Sequence, residues 1–278
     1  MTFMVNQAIT PGVYKNISNQ DYHAGAGVSS SDLKYLLKSP LHYKYYKSSP
    51  HEETPSMKLG TAVHTAVLEP ERFLSDYLRA PELDKRTKAG KEEWARLESS
   101  GKIILSNDDY QKVLDMSNNV LNHKLAGNLF KGGEAETSYY WQQPVGLNEI
   151  LCKCRPDYIK PLKDGDLILD LKTTRNGSYN AFRRQAFYEL NYQISAAHYL
   201  TGYKAVTGRE AQAFIFVAVE NEPPYAVSIF RADTQFVFYG ETQCEQLYEL
   251  YFNCTSQDDW PGYPDEIQDL DLPVSVNF

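Results

Sequence analysis

Asp166-Leu167-Ile168-Leu169-Asp170-Leu171-Lys172-Thr173-Thr174 is the stretch of this 278-residue chain whose reading decides the fold. Its apolar residues follow the period of a strand, on which residues two apart share a face. Leu167, Leu169 and Leu171 turn to the core, and Asp170 and Lys172 emerge together on the opposite face. An isolated Asp-x-Lys is common and is most often a solvated ion pair at a strand end, worth little in stability. Its surroundings give this one weight. Upstream, Cys152-Lys153-Cys154-Arg155-Pro156-Asp157 ends another apolar run with a second acid, and Pro156 stops the ladder there. The short connection predicts that the two strands, Glu149 to Asp157 and Asp166 to Thr173, pair as an antiparallel hairpin, with Asp157 and Asp170 at one sheet edge. Two close carboxylates repel unless a cation lies between them, and hard Mg2+ or Mn2+ suits such oxygen ligands. Lys172 beside that ion can orient or deprotonate water and stabilise charge on a phosphate.

Outward from this centre, Glu136 to Gln142 reads as the preceding strand, with turns at Pro144-Val145-Gly146 and at Pro161 to Gly165. A long helix is expected within Tyr179 to Leu200, halted by Gly202, then an apolar strand from Ala211 to Val219 with Tyr225 to Phe230 as its hairpin mate, then a helix from Asp233 to Phe252. The first 130 residues read as mainly helical. Ser29-Ser30-Ser31-Asp32 caps a short helix limited by Pro40, Met57 to Glu69 is a second, and Asn107 or Asp108 caps a longer one running to about Phe130. Helix, three strands, helix and strand in that order place a sheet between helices, an α/β class, and no repeat divides the chain into further domains.

On the second helix, Gly60 and His64 are four apart and share a face, so a residue with no side chain stands beside an imidazole and leaves room for an approaching group. Glu136, at a strand start, is a candidate additional ligand or supporting acid. Four cysteines (Cys152, Cys154, Cys244, Cys254) are too few for a disulfide scaffold and read as free thiols in a reducing cytoplasm. Neither a secretion signal nor a run of apolar residues long enough for a membrane span is read. The net charge of −8 argues against binding nucleic acid by bulk electrostatics, but six acids and no Lys or Arg lie from Asp258 onward, which leaves the rest near −2 and permits a local basic groove.

Taken together, Leu59 to His64, Ala135 to Ser138, Cys154 to Asp157 and Leu169 to Thr174 resemble, in order, the motifs of the PD-(D/E)xK nuclease superfamily, and most closely its RecE-like (exonuclease VIII) branch. Ser29 to Asp32, Arg86 to Lys91 and Trp260 to Tyr263 extend the resemblance over roughly residues 10 to 275. It implies a restriction-endonuclease-like core, a central mixed sheet flanked by helices with N-terminal helical additions. His64, Asp157, Asp170 and the carbonyl of Leu171 are then metal ligands, Lys172 the catalytic lysine, and Mg2+ the cofactor as two ions, with Mn2+ able to substitute. The implied activity is 5′ to 3′ degradation of linear double-stranded DNA, leaving 3′ single strands for a RecT-like annealing protein, by a homo-tetramer in a bacterial cytoplasm. Related RecB-type nucleases carry Gln-x-x-x-Tyr on the following helix; here Ser195 stands four before Tyr199, and Gln193 is the possible substitute. An iron-sulfur variant needs an N-terminal cysteine, and none precedes Cys152.

Arg86, Lys88 and Lys91, with Arg183 and Arg184, are the cations expected near DNA phosphates, and no sequence-reading motif accompanies them. Two other readings stay open: a non-hydrolytic DNA-binding or assembly protein on the same fold, and an endonuclease.

Overall fold

The computed structural model of the chain describes residues 9–49, 53–83 and 86–270; the first eight residues, Lys85 of the polar stretch and Asp271 of the acidic tail lie outside them. The chain begins with β1 (Gly12–Tyr14), α1 (Asn19–Ala24), α2 (Ser30–Lys38), α3 (Pro40–Ser48), α4 (Pro55–Leu68) and α5 (Pro70–Asp76). It continues through β2 (Tyr77–Arg79), α6 (Lys88–Glu98), β3 (Ile103–Leu105), α7 (Asn107–Asn122) and α8 (Ala126–Leu129). The strands β4 (Glu134–Ala135), β5 (Ser138–Val145), β6 (Asn148–Cys154), β7 (Tyr158–Leu162) and β8 (Gly165–Thr174) follow. After them come α9 (Tyr179–Arg184), a π-helical turn (Gln185–Glu189), α10 (Tyr192–Thr207), β9 (Ala211–Glu220), β10 (Val227–Arg231) and α11 (Thr234–Gln257).

The central sheet is mixed, in the order β10-β9-β8-β7-β4, with β8 and β9 parallel and the other pairs antiparallel. Side-chain alternation on its two middle strands splits the core. Leu169 and Leu171 of β8 and Val217 and Val219 of β9 pack with α4 and α7. Ile168 of β8 and Phe214, Phe216 and Ala218 of β9 face α2, α10, α11 and a smaller sheet, β1-β5-β6. Fully burying a Leu such as Leu169 or Leu171, each at 0% exposure, contributes roughly 1.5–3 kcal/mol, so the strand is held firmly from both sides. Asp170 and Lys172 therefore leave β8 on the α10 side.

The hairpin expected between Glu149–Asp157 and Asp166–Thr173 does not form as such. β6 pairs with β5 in the small sheet, and β7, which includes Pro161, is the antiparallel mate of β8 across Lys163-Asp164. Pro161 fits because β4 pairs only with Tyr158 and Ile159, leaving that half of β7 an edge where a missing N–H is harmless. Pro156 breaks the ladder between β6 and β7, and Asp157 lies at the break.

Pro40 ends one helix and also opens the next, at a position where its missing N–H is no loss. α2 starts with a capping box between Ser29 and Asp32. Ser106 caps α7 in place of Asn107 or Asp108, and the helix stops at Asn122, where the His123 ring accepts the N–H groups of Leu125 and Ala126. The single long helix expected from Tyr179 is two, separated by the π-turn, in which Leu190 N–H reaches Gln185 O, and by Asn191 in a left-handed conformation. Gly202 does not end α10. A Cβ there would meet the Trp141 ring at 2.4 Å, so the glycine lets the helix press on the small sheet. Gly208, at φ +69°, ends it instead.

Candidate active site

The site lies where β7 stops and β8 runs on. In the register of the pair, Leu171 directs its N–H to the side β7 has vacated, and Asp157 fills the gap: its Oδ2 accepts that N–H at 2.6 Å. A strand residue's N–H and C=O leave the same edge, so the Leu171 carbonyl faces the same gap. The Asp157 carbonyl accepts the N–H of Glu136 at 3.1 Å. Glu136 itself sits at φ +50°, a strained conformation for a non-glycine residue, in the short link that carries the chain from β4 in the large sheet to β5 in the small one. From the other layer, α4 brings His64, whose Nδ1 is 3.6 Å from Asp157 Oδ2. One ligand atom from each of His64, Glu136 and Asp157 lies within 4.8 Å of the others, a grouping able to hold a metal ion.

Asp170 is nearly fully buried, and its Oδ2 lies 2.7 Å from the Lys172 ammonium. The contact is close in distance but poorly directed, so that oxygen accepts no well-formed hydrogen bond. Burial alone would lower the Lys172 pKa; Asp170 and then Asp157 outweigh it and hold the pKa above its ordinary value. Lys172 is thus a charge and a proton donor at neutral pH, not a resting base. Glu136 behaves differently: burial and the neighbouring Asp157 push its carboxyl up to about 8, with Arg155 pulling the other way. An under-coordinated buried carboxylate and an acid raised by its neighbour are what a divalent cation relieves, so the oxygen and nitrogen donors present fit one.

His64, Glu136 and Asp157 open onto a cleft of about 1170 Å³ that Arg155, Arg72 and Tyr199 also line. Tyr199 belongs to the site, and its pKa is raised by burial and then by Asp170. Gln193 does not. It is buried against α11, with Nε2 3.0 Å from Gln243 Oε1. Tyr199 lies six positions after Gln193 on the helix, so the two point about 120° apart, whereas Tyr192, seven before Tyr199, shares its face. The Lys172 ammonium lies 5.3 Å from the centre of the Tyr192 ring. Nothing in the Gln-x-x-x-Tyr spacing pointed to Tyr192; helical periodicity counted back from Tyr199 does.

Arg86, Lys88 and Lys91 are exposed at the start of α6, and Arg183 and Arg184 on α9, and none of the five lines the cleft. The cations that do were not singled out from sequence. The Arg155 guanidinium lies 4.1 Å from the Tyr22 ring centre and donates to Ser138 Oγ and Ile17 O. Beside it, the buried Lys153 donates to Tyr22 O and Gly25 O, both at 2.6 Å. Together they clip the N-terminal segment around α1 to the small sheet and make it one wall of the cleft. The alternation Lys153-Cys154-Arg155 was the available signal: the two cations share a face of β6 and its end, while Cys152 and Cys154 point to the core.

The space expected above Gly60 is not an approach to His64. A Cβ there would meet Thr173 Oγ1 at 3.5 Å, an ordinary contact, so the glycine faces β8. Gly60→Ala is expected to keep the site intact and to raise stability by about 1 kcal/mol through helix propensity. A thermal melt checks this; a lower melting temperature contradicts it.

A family model described as a PDDEXK-like domain of unknown function (DUF3799) matches residues 29–273. The chain belongs to the DUF3799 family of PDDEXK-like domains. This agrees with the PD-(D/E)xK motifs and with the mixed sheet between helices; the RecE-like branch is a narrower reading. Among solved structures, a protein from Eubacterium rectale, named only provisionally as an exonuclease, aligns with a TM-score of 0.60 over 94% of this chain and 94% of its own, at 12% identity. That match supports the fold. A second, SSO0001, has a TM-score of 0.32 at 17% identity, covering 68% of this chain and 84% of its own, and carries no argument. No curated protein matches this DUF3799 chain. Among its described residues, no helix is long and apolar enough to cross a membrane.

Proposed function

We propose that the chain is a Mg2+-dependent exodeoxyribonuclease that degrades linear double-stranded DNA from 5′ ends and leaves 3′ single strands. The observation that supports this most is the meeting of His64, Glu136 and Asp157 on an open cleft, with the Asp170–Lys172 ion pair on the neighbouring strand β8. His64, Glu136, Asp157 and Asp170, with the Leu171 carbonyl, would hold divalent cations, as one or two ions of Mg2+ or Mn2+. Such ions supply Lewis acidity toward a phosphodiester and a more acidic bound water. The chain's own residues do the rest. Lys172 sets a fixed positive charge where the phosphorane-like transition state becomes more negative, and the buried Asp170 holds that charge in position. Asp157 is itself held by the Leu171 N–H. Tyr199 closes one side of the centre and limits water access. As part of the same reading, the enzyme works as a homo-tetramer in a bacterial cytoplasm and hands its product to a RecT-like annealing protein.

The test is digestion of linear duplex labelled at the 5′ or the 3′ end, with and without Mg2+, alongside a covalently closed circle. Early release of the 5′ label, only with metal and with the circle untouched, is the expected result. Cutting of the circle makes the protein an endonuclease, and duplex binding without product makes it a non-hydrolytic member of the fold.

A further inference from the structure

Lys34, on α2, is a lysine of this centre with no carboxylate of its own. Its ammonium lies 5.1 Å from the centre of the Tyr192 ring, and the Lys172 ammonium lies 5.3 Å from the centre of the same ring. The acid electrostatically closest to it, Asp170, is already taken up by Lys172. Among the described residues no ion pair or hydrogen bond satisfies the Lys34 ammonium, although its side chain is partly buried. Burial, and then repulsion from Lys172, push its pKa down to about 7. Yet the helix is built to keep it there: the Ser29–Asp32 capping box starts α2, and the fully buried Leu33 and Leu36 lock its rotation. Two like charges beside one ring repel, and an arriving anion relieves the repulsion. Because both nitrogens sit about 5 Å from one ring centre, they lie at most about 10.4 Å apart, close enough to contact two phosphates of one strand, and each cation regains over the ring part of what it loses in desolvation.

We propose, on the basis of the nuclease reading, that Lys34 is a substrate-contacting residue: Lys172 engages the scissile phosphodiester and Lys34 the neighbouring phosphate of the same strand. The Tyr192 ring sets the spacing between the two. Lys34→Met removes the charge and keeps the aliphatic stem; Lys34→Arg keeps the charge. In EDTA, where binding is read without cleavage, Lys34→Met is expected to bind linear duplex about tenfold more weakly and to lower the slope of log K against log salt by about 1, with Lys34→Arg close to wild type. In Mg2+, one methylphosphonate beside the scissile position slows wild type and leaves the already slowed Lys34→Met unchanged. DNA-free Lys34→Met melts no lower than wild type, because an unpaired charge has gone. Wild-type affinity, salt slope and methylphosphonate sensitivity in Lys34→Met would overturn the assignment. So would a lower melting temperature in both variants, which marks a structural lysine. If wild type itself neither binds nor cuts duplex, the nuclease reading fails first and this one with it, a result that the variants cannot mimic.

Discussion

Lys172→Met is expected to lose cleavage by about 10²- to 10³-fold or more and, in the same protein, to lose roughly 3–5 kcal/mol of stability. The two losses have different origins. Catalysis fails because the ammonium 2.7 Å from Asp170 is gone from the reacting centre. Stability falls because the Asp170 carboxylate, only 2% exposed, is left buried without a counter-charge. Adding Asp170→Asn to Lys172→Met therefore returns most of the stability and none of the activity. Urea melts of wild type, the two single variants and the double one, run in EDTA, give the coupling. Single-turnover cleavage of the same four proteins gives the catalytic side. Additive stability losses would show that the pair is solvated and that Asp170 does not depend on Lys172.

Glu136→Gln is expected to stabilise the metal-free protein at pH 8 and to change nothing near pH 4. The carboxyl is pushed from its usual 4.5 up to about 8 by burial and Asp157. Below pH 4.5 it is protonated in both the folded and the unfolded chain and contributes no difference. Between the two values the unfolded chain gives up the proton and the folded one keeps it, so this residue lowers stability progressively as pH rises from 4.5 to 8. Beyond that window the penalty is constant, at most about 5 kcal/mol. Glutamine has no proton to lose and escapes it. With Mg2+ or Mn2+ present the sign reverses: wild type gains more in melting temperature than Glu136→Gln, since the glutamine is a poorer ligand. Melting curves at several pH values, with EDTA or with metal, read both effects. A stability difference that is flat between pH 4 and pH 8 would mean that Glu136 titrates normally and is not coupled to Asp157.

Much of this site could be read along the chain because its parts are local to short elements. The alternation in Leu167 to Lys172 reports which side chains share a face, and burial on both sides of β8 makes that alternation binding. Pro156 and the apolar run Ala211 to Val219 mark a strand break and a buried strand for equally local reasons. Along the chain Pro161 looks like a turn residue, and only the short reach of β4 makes it acceptable within a strand, so the hairpin mate of β8 is not legible locally. Gln193 is the glutamine nearest the Gln-x-x-x-Tyr position, but the helix's own 3.6-residue period turns it toward α11. The roles of Arg155 and Lys153 are not legible along the chain, since their partners, around Tyr22, lie about 130 positions away.

By itself the sequence determined the strand period, the residue types with oxygen, nitrogen and ammonium groups, and the order in which they occur. Those follow from side-chain chemistry and from backbone geometry over a few residues. Tertiary structure alone decided that His64 arrives from one layer of the sheet and Lys34 and Tyr192 from the other, and that Asp157 closes the gap between them on the Leu171 N–H. Such meetings depend on how layers pack and where a strand stops, and no local pattern encodes the distance between residues that the chain separates by a hundred positions.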